Sequence, residues 1–254
     1  LGNIDCALKS AKIALDLDAD SVEALLLSGR IFLAKSKGEE AISYVSKVRT
    51  IRPDLTSAEF LRGAVMKDIG KRNEARQCLK TVLAESPNHP WATFFLAQMD
   101  YEDGKSTEAF ARLQASKANF DVVPLALRLS GILEMQRGNH EQAINKLKRY
   151  HAKNSADAKS IMALSRAYAS AGNHAEAFQT ILPLVRSVTA PVDALELGAE
   201  LAGKAGDPAA TNLSRRAAEL KQDSKKNMLF EAEQAIIAQE WPEAEKIYAQ
   251  LLSQ

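Results

Sequence analysis

The sequence has few residues that break helices, and it has no long apolar run. Its 254 residues include only 12 Gly and 8 Pro, whereas Ala, Leu, Lys, Glu and Gln, which favour helices, are frequent. Runs of β-branched and aromatic residues at a period of two are missing, which argues against a sheet. No apolar stretch approaches the roughly 18 residues that a membrane span needs. With 46% hydrophobic residues, the composition predicts a folded all-α chain and excludes general disorder.

Neither charge nor cysteine points to a specialised partner. The 33 Lys and Arg nearly cancel the 32 Asp and Glu, so the chain lacks the basic surplus typical of nucleic-acid or anionic-membrane binding. Cys6 and Cys78 have no metal-ligand spacing, and four helix steps separate them. That separation exceeds the roughly 7 Å limit for a disulfide. We expect both to be buried or half-buried apolar residues.

The chain also lacks the motifs of the common catalytic sites. It contains no HExxH, GxSxG, GxxxxGK[ST] or GxGxxG stretch. His140 and His174 occupy equivalent positions 34 residues apart, where packing at a helix turn is the favoured interpretation. The sequence therefore predicts no catalytic residue, no metal ligand and no cofactor, and a protein that is not an enzyme.

What the sequence does contain is a repeat with a period of 34 residues. One position of the repeat is Ala in all but one unit, and it falls at Ala7, Ala41, Ala75, Ala109, Ala143, Ala177 and Thr211, with Ala244 one residue early. Twelve residues before these positions lies a second series of small residues: Gly29, Gly63, Ala97, Gly131, Ser165, Ala199 and Ala232. A Gly lies five residues before most of the phased alanines. This spacing predicts a repeated pair of helices, A and B, that approach closely at the small residues and are joined by a left-handed Gly turn.

The pattern resembles the tetratricopeptide repeat over essentially the whole chain. The resemblance implies a single right-handed α-solenoid, a superhelix of about seven repeats and 15 helices. The implied boundaries are a lone B helix at 4–18, repeats at 22–55, 56–89, 90–123, 124–157, 158–191 and 192–224, and a final helix pair at 226–253. We expect the polar segment 221–227 to form a kink or a cap before that final pair.

Some repeats depart from the family pattern. The Tyr that is usual late in helix A is replaced by Phe32 in one unit and retained as Tyr168 in another. Asp100 and Glu134 take its place in units four and five. Because an acidic residue there would face the core, we expect these two units to pack less regularly.

The family resemblance also implies a binding surface, because the A helices of such solenoids line a concave groove. The groove positions implied for this chain include Phe60, Trp91, Phe94, Phe95, Gln98, Tyr101, Arg128, Ile132, Lys159 and Arg166. Four aromatic residues fall on groove positions of one helix, in a chain with only eight Phe, five Tyr and two Trp. Packing between adjacent A helices is the alternative explanation for Phe94 and Phe95. For Arg128, Lys159 and Arg166, the alternative is pairing with Glu196 and Glu200, or solvation.

The leading functional hypothesis is a non-catalytic scaffold that binds a peptide or a partner domain in this groove. The alternative is the recognition arm of a larger enzyme, or of a secretion or polysaccharide-export complex whose active part lies outside this chain. Loosely, the units resemble bacterial tetratricopeptide proteins of envelope and exopolysaccharide export. RNA binding is disfavoured by the neutral charge, and clamping of a C-terminal carboxylate by the absence of Asn at the relevant groove positions.

The sequence begins with Leu1 in what reads as a helix, which predicts a piece of a longer protein. Any targeting segment would then lie outside it, so the localisation stays unknown, with the cytoplasm and the bacterial periplasm both open. Because both terminal helices carry apolar stripes, we expect end-to-end packing or a homodimer.

Overall fold

A computed structural model describes residues 2–116, 122–237 and 240–252. Over these residues the chain forms fourteen α-helices and no strand, which confirms the all-α tetratricopeptide class. The helices are α1 Gly2–Leu17, α2 Val22–Ala34, α3 Gly38–Ile51, α4 Thr56–Asp68, α5 Arg72–Glu85, α6 Pro90–Glu102, α7 Ser106–Ala115, α8 Pro124–Gln136, α9 His140–Lys153, α10 Ala158–Ser170, α11 His174–Val185, α12 Val192–Ala205, α13 Ala209–Ile237 and α14 Trp241–Leu252. Helices pack mainly on their neighbours in sequence. The chain divides into two compact units, Leu1–Ser130 and Gly131–Gln254.

The turn between paired helices uses the left-handed backbone conformation that the sequence predicts. Its φ values lie between 71° and 82° at Gly70, Gly104, Gly138, Gly172 and Gly206. Ser36 holds the same position in the α2–α3 turn with φ 55°. The left-handed backbone conformation costs a residue with a side chain roughly 1–2 kcal/mol. Ser36 adopts it because the geometry of the repeat requires this turn, against the local preference of serine.

Paired helices meet at the two series of small residues. All seven small residues of the A-helix series are buried, and Ala41, Ala75, Ala109, Ala143 and Ala177 of the B-helix series have no exposed surface. A Cβ on Gly131 would lie 2.6 Å from Leu147 Cγ, and one on Gly63 would lie 3.1 Å from Cys78 Cβ. Such distances leave no room for a larger residue. Thr211 is exposed, in keeping with the weak repeat signal there.

Each unit has its own apolar core. In the first unit, Leu79 and Val82 of α5 pack against Leu96 and Met99 of α6, and all four are fully buried. In the second unit, α11, α12 and α13 share a core. It contains Phe178, Ile181, Val185, Leu195, Leu201 and Leu213. These residues recur at helical spacing on the inner faces of their helices, which is why the periodicity of the sequence located them.

Asp100 is buried without loss of packing, because cations from two helices meet its carboxylate. Arg76 Nη1 of α5 donates to Asp100 Oδ1 at 2.6 Å, and Arg112 Nε of α7 donates to Oδ2 at 2.9 Å. In the second repeat, the equivalent pair is Phe32 and Tyr44, whose rings stack with centroids 5.3 Å apart. The same position between helices A and B therefore accepts either an aromatic stack or an ion pair.

The fifth repeat also pairs a buried carboxylate on helix A with a cation on helix B. Lys146 Nζ donates to Glu134 Oε1 at 2.7 Å, and Asn139 Nδ2 donates to Oε2 at 2.8 Å. Burial alone would raise the pKa of Glu134, but the bonds from Lys146 and Asn139 hold it below its usual value. Glu134 and Lys146 lie 34 residues after Asp100 and Arg112. A cation on helix B thus balances the buried carboxylate on helix A, which compensates for the less regular packing that we expected in these two repeats.

The C-terminal part differs from the sequence-based expectation. The segment 221–227 does not end a helix, because α13 runs without interruption for 29 residues from Ala209 to Ile237. It joins the B helix of the seventh repeat to the A helix of the final pair, so the described residues form fourteen helices instead of fifteen. The physical reason is local, since the segment contains neither Gly nor Pro and its polar residues are compatible with a solvated helix.

The cysteines follow the prediction in part. Both are free, as expected, and Cys78 is buried. Cys6 is exposed, contrary to the expectation that both would be at least half-buried. It lies on the outer surface of α1, the one helix of the first unit that has no A helix before it among the described residues.

Substitution of two helical glycines tests the close approach of paired helices. Gly131→Ala should lower the free energy of unfolding by about 1 kcal/mol, because overpacking against Leu147 outweighs the gain in helix propensity. The control is Gly203→Ala in α12, where an added Cβ meets nothing within 4 Å. That variant should gain about 0.5 kcal/mol. Urea denaturation measures both, and stabilisation by Gly131→Ala would contradict the packing argument.

The Glu134–Lys146 pair gives a second prediction. Lys146→Met should destabilise the fold by about 2 kcal/mol, because it leaves a buried carboxylate with one fewer cation. The double variant Glu134→Leu, Lys146→Met should recover most of that loss. Since the pKa of Glu134 is lowered in the fold, its stabilising effect is present above the unfolded pKa and is lost as pH falls through the folded pKa. Denaturation at neutral and acidic pH should show that acid loss in the wild type and not in the double variant.

Candidate partner-binding site

Helix α6 carries half of the residues predicted for the site, and its start is fixed by His89 and Pro90. His89 is the N-cap residue, and its Nδ1 accepts a hydrogen bond from the Ala92 backbone N–H at 3.1 Å. Pro90 follows at the first helical position, where its missing N–H costs nothing. This cap sets the phase of the helix, which turns Leu96 and Met99 into the core.

Five rings form an aromatic cluster in the first unit, made of Phe60, His89, Trp91, Phe94 and Phe95. Phe60 of α4 stacks parallel to Phe95, with centroids 5.9 Å apart, and meets the His89 ring at 4.7 Å. Trp91 meets Phe95 at 5.7 Å and Phe94 edge-on at 6.1 Å. Aromatic pairs at such distances add roughly 0.5–1.5 kcal/mol each beyond burial. The cluster therefore joins α4 to α6 and holds its members in fixed positions.

Exposure divides the four aromatic residues predicted for the groove. Phe94 is only 4% exposed, so it packs inside the unit and does not present a contact surface. Trp91, Phe95 and Tyr101 are half-buried, and each leaves part of its ring in solvent. Phe94 thus belongs to the core, where its ring contacts those of Trp91 and Phe95.

Polar residues border the aromatic cluster. Lys67 Nζ lies 5.6 Å from the centroid of the Phe95 ring, a cation–π distance. Gln98 Nε2 donates to Glu102 Oε1 at 2.8 Å, and Arg72 Nη1 donates to the other oxygen of Glu102 at 2.9 Å. Arg72 and Arg76 both donate to Asp103, which lowers the pKa of that carboxyl. These bonds fix the C-terminal end of α6, next to Tyr101.

The remaining predicted residues lie on other helices. Arg128 is half-buried on α8 in the first unit. In the second unit, Ile132 packs partly buried against the core that α9 and α10 share, whereas Lys159 and Arg166 are exposed on α10. The suggested pairing of Lys159 and Arg166 with Glu196 and Glu200 does not occur. Glu196 pairs with Lys221 at 2.5 Å, and Glu200 pairs with Lys204 at 2.6 Å.

Sequence reasoning missed the role of His89, which both caps α6 and joins the aromatic cluster. The signal was available, because a polar residue directly before Pro at a helix start is typical of an N-cap. Its contact with Phe60 could not be read from the sequence, since the two residues lie 29 positions apart on separate elements.

Among the residues that the structure describes, no group of three or more His, Cys, Asp or Glu could hold a metal ion. Burial and then the contact with Glu59 raise the pKa of the Cys78 thiol to about 11, which keeps it protonated at neutral pH. None of the helices described is both long and apolar enough to cross a bilayer.

Together, the paired helices and their small-residue contacts define a helical-repeat protein. The profile of the tetratricopeptide repeat matches residues 1–55 and 128–187. The same period and helix pairs continue between and beyond these segments. Over the matched residues the chain is similar to the tetratricopeptide-repeat family, and its helix pairs follow the same repeat.

Curated relatives match a small part of the chain. Over 87 residues it is 32% identical to the protein named DnaJ homolog subfamily C member 3 of Mus musculus and of Homo sapiens. The match covers 34% of this chain and only 17% of those proteins.

Solved structures share the fold over a larger part. PilF of Pseudomonas aeruginosa has a TM-score of 0.67 at 18% identity, covering 84% of this chain and 97% of that one. PilW, a type IV pilus biogenesis factor, has a TM-score of 0.63 at 16% identity, covering 77% and 91%. At these identities the likeness shows the fold alone.

Titration of His89 gives a prediction for the aromatic cluster. Burial lowers the pKa of His89, and protonation of Nδ1 would also break the cap bond and place a positive charge at a helix N-terminus. The free energy of unfolding should therefore fall as pH drops from the unfolded pKa of about 6.5 towards the folded value. His89→Asn keeps a cap acceptor and removes the titration, so this component should disappear in urea titrations at pH 7.5 and 5.5. An unchanged pH dependence in the variant would contradict the assignment.

Proposed function

We propose that this protein is a non-catalytic scaffold that binds a peptide or protein segment on the A-helix face of its first unit. The binding patch consists of Phe60, Trp91, Phe95 and Tyr101, with Gln98 beside them. The observation that carries the proposal is the half-exposed set of rings held in place by ring contacts and by buried Phe94. The similarity to a family of interaction proteins supports it.

Rigid aromatic side chains suit this role for an energetic reason. A ring has only two rotatable side-chain bonds, and here its neighbours already restrict it, so binding costs little additional entropy. Trp and Tyr are also the residue types most enriched among those that dominate binding energy. Lys67, placed over the Phe95 ring, would add a charge at the edge of the patch.

The basic residues of the second unit extend the proposal to a partner that also carries acidic groups. Lys159 and Arg166 are exposed and seven residues apart on α10, so they share one face of that helix. The acidic residues suggested as their partners are engaged with Lys204 and Lys221. We also propose Arg128 of the first unit and Ile132 of the second unit as contact residues, each within its own unit.

The test uses peptides selected from a random displayed library on the immobilised chain, with affinity measured by fluorescence anisotropy. Trp91→Ala and Tyr101→Ala should each weaken the binding of a selected peptide by about tenfold or more, because each removes a ring from the patch. Helicity by circular dichroism should stay unchanged. The matched control is Ile13→Ala, an apolar residue of the same unit that is 61% exposed on α1, and it should bind as the wild type does.

Two further measurements separate binding from folding. Phe94→Ala should lower the free energy of unfolding by about 3 kcal/mol, because its ring is buried. Trp241→Phe leaves Trp91 as the single tryptophan, and its emission should shift to shorter wavelength when peptide binds. Peptides that bind Trp91→Ala as tightly as wild type, or a Trp91 emission that does not respond, would contradict the proposal.

A further inference from the structure

The continuous helix α13 leaves one repeat face of the second unit uncovered. In a tetratricopeptide array, each A helix packs on the helix pair before it. The contact of α4 with both α2 and α3 shows this in the first unit. Here the next A helix is the second half of α13 itself. At 1.5 Å per residue, Phe230 lies about 20 Å along the helix axis from Ala217, so it cannot fold back onto α12 in the same chain.

A cleft lies where that next A helix would pack. It has a volume of about 440 Å³, and α12 and the first half of α13 form its walls. Ala199 and Ala217 form its apolar floor and are buried, while Glu196 and Glu200 border it. Ala199 is the small residue of helix A in the seventh repeat, in the position that Gly29 holds in the second repeat.

Contacts elsewhere in the chain show which residue such a cleft receives. A Cβ on Gly29 would lie 3.0 Å from Leu61 Cδ2 of the following A helix. Leu61 lies 14 residues before Ala75, and Phe230 lies 14 residues before Ala244. Phe230 is thus the counterpart of Leu61 in the final pair, but it is 62% exposed. The cleft at Ala199 and the exposed Phe230 are two halves of one repeat contact.

We infer that two copies of this chain exchange their final helix pairs, so that Phe230 of each copy packs into the cleft at Ala199 of the other. The exchange is reciprocal, which gives a closed two-fold dimer. Each copy supplies the A helix that the other lacks, and the repeat stack is completed between chains. This contact is separate from the proposed peptide-binding patch, and each can fail without the other.

Light scattering coupled to size exclusion tests the inference on the 254-residue chain. The wild type should show the mass of a dimer at about 100 μM and dissociate on dilution. Phe230→Asp and Ala199→Glu should each weaken the dimer by about 30-fold or more, since both remove the central contact. Val188→Asp is the matched control, because Val188 is 93% exposed on the loop before α12 and should leave the dimer intact.

Crosslinking shows whether the contact lies between chains. In a Cys6→Ser background, which removes the exposed native thiol, Ala199→Cys and Phe230→Cys chains are mixed and oxidised. A disulfide-linked heterodimer should form from the mixture, and neither variant alone should give the same yield. A wild-type chain that stays monomeric at all concentrations, a dimer that tolerates both charged substitutions, or the absence of the heterodimer would overturn the inference.

Discussion

Close contact between paired helices at small residues is the constraint on which the rest of this structure depends. A Cβ on Gly131 would lie 2.6 Å from Leu147 Cγ, and the phased alanines of five B helices have no exposed surface. Gly29 shows that the same residue also receives a side chain from the following A helix, at Leu61. One small residue therefore sets the distance both within a repeat and between repeats. This is the reason why the 34-residue period is so strict along the chain.

Within that fixed distance, several repeats place matched side chains on helices A and B. One position on helix A faces one position on helix B, and the pair is Phe32 with Tyr44 in one unit and Asp100 with Arg112 in another. Either combination fills the space and satisfies its own polar groups, whereas a mixture would bury an unpaired charge. In the fourth repeat, Arg76 also donates to Asp103. The ion pair therefore anchors the end of α6, the helix that carries the aromatic residues.

The aromatic residues of α6 differ in burial although they belong to one cluster. Phe94 is buried, Trp91 and Phe95 are half-buried, and all three are in ring contact. A fixed set of partly exposed rings needs a buried member beneath it, because an isolated ring on a helix surface would move freely. The buried and the partly exposed rings therefore hold one another in place, and His89 links the cluster to the start of the helix.

The sequence by itself determined the helix pairs, the left-handed turns and the buried small residues. These features follow from local periodicity and from what each residue type permits at a turn or a helix crossing. The continuity of α13 also follows from the local sequence, since residues 209–237 contain no Gly or Pro. The family pattern nevertheless favoured a break there. Only the tertiary structure decided that Phe94 is buried, that Phe60 meets His89 and that Asp100 receives two arginines. Those outcomes join side chains from different helices, and their distances depend on how the helices pack, which no single-helix pattern contains.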